Sequence, residues 1–266
     1  MCSSDLVHDR AYVGRVLSGR LSPAEVRRIG FPWSEGLVQR SLRSTGAAVD
    51  AAAAALEDGI AASLAGGTHH AGRDWGEGYC VFNDTAVAAR EMQARGCVRR
   101  VAIVDLDVHQ GNGTADVFAS DDSVFTASVH GERNFPLRKC PGDLDIGLPD
   151  GTADEAYLEA VDAAVAAAIT GWSPDLVLYL AGADPFVGDR LGRLAVTAWG
   201  LLERDKRVFA AAGRAGAPLA IVCAGGYAAA VEETVAIHTA TMLLAAGYAE
   251  EGFPGSPRGG AGPKTD

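Results

Sequence analysis

The chain has 266 residues, 48% hydrophobic and 21% charged, which suits one large α/β domain that buries its core without disulfide or metal staples. Its net charge of −11 and pI near 5.0 argue against nucleic acid or an anionic membrane as direct partners, because both demand a basic face. Cys2, Cys80, Cys97, Cys140 and Cys223 form no CxxC pair, the N-terminus has no signal-peptide pattern, and no uncharged apolar run reaches the ~18 residues of a membrane span, so a cytoplasmic protein is expected.

Ala-rich helical stretches alternate with apolar strand-like runs, the pattern of a parallel sheet covered by helices. In chain order the pattern predicts a helix over Leu37–Asp58, a weak strand over Ile60–Ala65 and a helix over Asn83–Arg95. Strands follow over Val101–Asp107 and Val124–Val129, then a helix over Ala153–Thr170. Ser173-Pro174-Asp175 marks a turn into a strand over Leu176–Ala181. A helix over Leu194–Ala212, a strand over Leu219–Ala224 and a helix over Val231–Ala246 complete a single domain spanning 1–250. The Gly/Pro-rich stretch 251–266 reads as a disordered tail.

The strand-like runs end in GGTHH, DLDVHQGNG, GADPF and AGGY, and open α/β sheets bind ligands at the carboxyl ends of their strands. Asp107 and His109, spaced i, i+2, point to the same side of an extended chain and can reach one ion. Asp184 follows another strand and supplies a third ligand, which leaves a coordination position open, as in a catalytic rather than a structural zinc site. His69 and His70 suit general acid/base work near neutrality, with Asp105 and Asn112 as candidate orienting partners. An Asp partner holds a histidine cationic, whereas an Asn partner orients it without that charge. Tyr227 can donate to a developing oxyanion beside a Lewis acid. Taken singly, an Asp after a strand reads as a helix cap, a His pair as a turn and a Gly-Gly-Tyr as a tight turn. DLDVHQGNG, with three metal-type groups on one strand, resists that reading.

GGTHHAGRDWGEGYCVFND (66–84), VDLDVHQGNGT (104–114), GADPFVGDRLG (182–192) and AGGY (224–227) together resemble the histone deacetylase superfamily. The resemblance runs from about Leu6 to about Ala246 and implies the three-layer arginase/deacetylase fold, a parallel sheet flanked by helices. HDRAYVGRVLSG and RIGFPWS (28–34) look most like the class IV branch and its bacterial relatives. The resemblance implies Zn2+ at Asp107, His109 and Asp184, His70 as general base and later acid, Asp105 behind His69, and Asn112 behind His70. It makes Tyr227 the oxyanion donor, Gly78 the acceptor of the substrate amide N–H, Tyr79 a wall of the acyl-lysine tunnel, Leu191 a rim residue and Gly226 a substrate contact. A structural K+ is implied near Asp105, Asp107, His109 and Ser128.

Family members usually place a strand, a helix and a mouth-bordering loop before the segment that starts here at His8, so the sheet is expected to lack its first strand. The expected activity is hydrolysis of N-acyl-lysine, acetyl or longer, in proteins. The alternatives are hydrolysis of acetylpolyamines or other small acylated amines, and an inactive fragment acting as a binding module. A two-metal ureohydrolase of the same fold needs a denser ligand set than the chain supplies.

Overall fold

The structure is a computed structural model and describes residues 3–254. A 3-10 turn (Ser3–Leu6) leads to α1 (Arg10–Leu17), which Asp9 caps through the N–H groups of Ala11 and Tyr12. A reciprocal capping box of Ser22 and Glu25 starts α2 (Pro23–Ile29), and left-handed Gly30 ends it. α3 (Glu35–Asp58) starts at the Ser34 cap and runs to β1 (Ile60–Ser63). α4 (Asp84–Ala94) begins at the Asn83 cap, followed by β2 (Val101–Asp105), α5 (Asn112–Phe118), β3 (Val124–Gly131) and β4 (Leu144–Leu148). α6 (Asp154–Val165) continues as a π-helical segment over Ala166–Gly171. β5 (Leu176–Leu180), α7 (Ala198–Ala215), β6 (Leu219–Val222) and α8 (Val231–Glu250) complete the described chain.

The six strands form one all-parallel sheet in the order β1-β6-β5-β2-β3-β4. Strand side chains alternate between two faces, and both faces are buried. Ala102, Val104, Val177, Tyr179, Leu219 and Ile221 point into a core shared with α6 and α7. Val101, Ile103, Leu176, Leu178, Ala220 and Val222 point into a second core with α3 and α4. A third cluster around Tyr12, Ile29, Val38 and Phe82 packs the N-terminal helices against the sheet-end loops.

β1 lies at one edge of the sheet and pairs only with β6. The expected strands end early on the site side: β2 stops at Asp105 and β6 at Val222, because the following residues turn to aim side chains. α1, α2, α5 and β4 have no counterpart in the sequence pattern; each is short, and β4 has only Leu148 buried. The helix expected from Leu194 starts instead after the Thr197 cap. Of the expected tail, Phe253 is buried and packs against Tyr248, while 255–266 lie outside the described residues, as does Cys2. No described helix is long and apolar enough to cross a membrane.

Candidate active site

The loops after β1, β2, β5 and β6 converge at the carboxyl end of the sheet. Ligand atoms of Asp107, His109 and Asp184 lie within 4.8 Å of one another. His109 Nδ1 stands 2.9 Å from Asp107 Oδ1 and 3.2 Å from Asp184 Oδ2. Backbone amides aim the carboxylates: Val108 N–H donates to Asp184 Oδ1 and Gly225 N–H to Asp107 Oδ2, each at 2.8 Å. A Cβ on Gly225 would overlap both carboxylates, so the AGGY turn needs glycine there to approach the triad.

These residues fit a divalent metal. Asp184 Oδ2 is buried and makes no hydrogen bond, although His109 Nδ1 is 3.2 Å away, which is the condition of a group whose partner is an ion. Burial, then the charge of Asp107, pushes the Asp184 carboxyl upward. Burial also works to raise Asp107, but the charge of His69 and the hydrogen bond from His109 outweigh it and hold that carboxyl low. Two carboxylates and one imidazole match the three protein ligands of a catalytic zinc site.

His69 and His70 have nearly touching rings, with centroids 4.0 Å apart, yet their surroundings differ. His69 Nδ1 is 2.6 Å from Asp105 Oδ2, and His70 Nδ1 is 2.7 Å from Asn112 Oδ1. Burial opposes charge on both. The carboxylates of Asp105 and Asp107 overcome it at His69 and lift its pKa to about 9. At His70, burial and then the neighbouring His69 charge push the pKa well below the ordinary value. The pair is therefore split into a cationic and a neutral imidazole.

Tyr227 is 37% exposed and lines the same cavity. Asp189 holds it, because Asp189 Oδ2 accepts Tyr227 N–H at 2.5 Å while Oδ1 accepts the N–H groups of Leu191 and Gly192. Burial and the nearby carboxylates raise the Tyr227 pKa, so the phenol keeps its proton. Gly78 has φ 54°, and a Cβ there would meet His70 Cδ2 at 2.6 Å. Tyr79 is exposed at the mouth and packs at a tilt against Phe31, with ring centroids 4.9 Å apart. Leu191 is 47% exposed at the rim. Gly226 does not line the cavity; it faces Thr234 and His238 on α8. Asp105 and Ser128 pair in register and line a separate void of about 10 Å3, whereas Asp107 and His109 gather with Asp184 in the main cavity. The two places adjoin, because Asp105 Oδ1 accepts Asp107 N–H at 3.2 Å.

Five contributors carry no local signal in the sequence. Phe135 packs edge-on against His70 with ring centroids 4.9 Å apart. Asp189 is the second Asp of GADPFVGDRLG, and its role shows only once β6 is alongside. Fully buried Arg204 donates to Gly182 O at 2.5 Å and Leu106 O at 3.5 Å, bracing the loops of Asp184 and Asp107 from below. Asp205 neutralises it and accepts from Tyr179 and Thr241, each at 2.5 Å. His8 Nδ1 lies 2.8 Å from Gly72 O, while its Nε2 accepts Asn83 N–H at 2.9 Å, which fixes a neutral ring.

A parallel sheet whose strand ends gather a triad able to hold a metal, tandem histidines and a tyrosine defines a class of amide hydrolase sites. Residues 3–242 match the histone deacetylase domain, and the chain belongs to that family of hydrolases acting on amides. It is 48% identical over 235 residues to an uncharacterized protein of Picosynechococcus sp., covering 88% of this chain and 78% of the relative. Identity is 31% to histone deacetylase 2 of Arabidopsis thaliana, over 84% of this chain but 60% of the relative. It is 30% to acetylpolyamine amidohydrolase 1 of Pseudomonas aeruginosa, over 71% of this chain and 54% of the relative. The crystal structure of an HDAC homolog complexed with SAHA aligns with a TM-score of 0.80 at 25% identity, over 93% of this chain and 70% of that one.

Proposed function

We propose that the chain is a zinc-dependent hydrolase that cleaves the amide of N-acyl-lysine in a polypeptide. The observation that carries this reading is the split histidine pair set beside a three-ligand metal cluster whose Asp184 Oδ2 lacks a hydrogen bond. A zinc ion held by Asp107, His109 and Asp184 would supply Lewis acidity toward the acyl carbonyl and the attacking water. His70 is neutral and buried, and its Nδ1 is tied to Asn112, so Nε2 takes the proton of the water as its oxygen adds to the carbonyl carbon. Tyr227 donates its phenolic proton in a hydrogen bond to the oxygen that becomes negative. His69, kept cationic by Asp105, adds positive charge next to that oxygen. As the C–N bond breaks, the proton on His70 Nε2 passes to the leaving amine, giving a carboxylate and a free lysine. Phe135 and Tyr79 supply apolar ring surface for the acyl-lysine methylenes.

The 30% identity to an acetylpolyamine amidohydrolase favours a second reading, in which the amine is a small polycation. K+ near Asp105, Asp107, His109 and Ser128, and a cytoplasmic location, belong to the same proposal. The test is hydrolysis of acetyl-lysine and myristoyl-lysine peptides and of an acetylated polyamine by purified protein. Turnover of peptide that stops with a chelator and returns with zinc supports the reading. A zinc-loaded, folded protein that turns over none of them overturns it in favour of a binding module.

A further inference from the structure

The cavity above the triad is larger than an acyl-lysine needs. Its volume is about 1590 Å3, whereas a pocket for a drug-sized ligand holds roughly 300–1,000 Å3. The additional space runs from the metal centre to the C-terminal end of α2 and along α3. Gly36, Gln39, Arg40, Arg43, Ser44 and Ala47 fall at i, i+3, i+4, i+7, i+8 and i+11, so one stripe of α3 faces it.

The charge of this space is opposite to that of the molecule. Arg27, Arg28, Arg40, Arg43, Arg133 and Arg193 line it, in a chain whose net charge is −11. Away from the triad, Glu77 is the only lining carboxylate, and both of its oxygens are taken: Oε1 accepts from Arg28 at 3.1 Å and Oε2 from Asn112 at 3.0 Å. Arg133 and Arg193 share Asp150 from outside the cavity. Arg27, Arg40 and Arg43 have no carboxylate partner among the described residues, and Arg40 lies over the Phe31 ring at 5.1 Å. The dipole of α2 accounts for Arg27 and Arg28 in its last turn, but not for Arg40 and Arg43 inside α3 or for the two loop arginines. Low-dielectric walls of one sign focus the field and attract the opposite charge.

We propose that this arginine-lined extension is a subsite for carboxylates that flank the acyl-lysine, so that the preferred substrate is an acylated lysine within an acidic polypeptide segment. The inference rests on the hydrolase reading above. A polyamine would bring ammonium groups against like charge. An acidic segment of several residues both fills the volume and pairs the free guanidinium groups.

Two measurements separate this inference from the hydrolase reading. The first compares kcat/KM of the zinc-loaded full chain on acetyl-lysine peptides flanked by Glu, Gln or Lys. The acidic peptide is expected to be favoured by about tenfold over the neutral one, mainly through KM, with the preference fading near ~0.5 M salt. The double variant Arg40→Gln/Arg43→Gln reduces that ratio to about twofold or less, while Arg214→Gln, on the exposed end of α7, retains it. The second is fluorescence anisotropy with an acidic peptide that carries no acyl group, read on the same proteins, so it needs no turnover. Weaker binding by the double variant supports the subsite even if no peptide is hydrolysed. Equal kcat/KM for Glu- and Gln-flanked peptides, or anisotropy unaffected by the double variant, overturns it.

Discussion

The two histidines stand 4.0 Å apart at their ring centres and differ chiefly in what lies behind each one. Asn112 behind His70 is therefore a sensitive position. Asn112→Asp would place a carboxylate against His70 Nδ1 and raise its pKa. A base works only when deprotonated, so the acid limb of the pH–rate profile is expected to move to higher pH, by about one unit. An unmoved limb would mean that His70 does not set it. Tyr227→Phe removes the proposed oxyanion donor and leaves the ring, so kcat should fall by about 10²–10³ with little change in KM. The positions of the metal cluster, the tandem histidines and Tyr227 were legible because each follows an apolar run and carries a chemically distinctive side chain. Asp189, Phe135, Arg204 and His8 were not. Their contacts reach across 38, 98 and 75 residues for Asp189, Arg204 and His8, and no local spacing encodes such a partner.

At the scale of elements, continuous apolar runs and the Ala-rich stretches between them revealed the sheet and its main covering helices, while short elements held by caps or by one sheet edge were missed. α7 shows how an element serves the site from behind. Its Arg204 and Asp205 are both buried, and removing one charge strands the other. Asp205→Asn is expected to cost about 3–5 kcal/mol in chemical denaturation, because Arg204 then lacks its counterion. A loss under about 1 kcal/mol would show that Arg204 is compensated elsewhere. The α2 capping box is a milder case: Ser22→Ala should cost about 1 kcal/mol.

For the whole molecule, acid sensitivity has an identifiable source outside the triad, at His8. Burial, the largest influence on His8, lowers its folded pKa from 6.5 to about 4 despite a backbone hydrogen bond to Gly72. The folded state thus binds fewer protons than the unfolded chain between those values. Stability from this group is present above pH 6.5 and is lost as pH falls toward about 4. Protonating Nε2 also breaks its bond from Asn83 N–H, at the residue that caps α4 and reaches Ala71 and Thr114. The urea midpoint of the wild type should drop between pH 7 and pH 4.5 by more than that of His8→Gln; equal drops would assign the acid sensitivity to other groups.

The triad offers two carboxylates, already aimed by backbone amides from Val108, His109 and Gly225, and one imidazole set against both. Such a donor set is harder than one built on thiolates, and it accepts several first-row divalent ions in the order of their intrinsic affinities. Which ion occupies it then depends on supply as much as on the protein. Preparations made in zinc-poor, iron-rich or cobalt-rich media are expected to carry different metals at equal stoichiometry, one per chain, by elemental analysis. The rate measured for this hydrolase would in that case record the metal economy of the cell that made it.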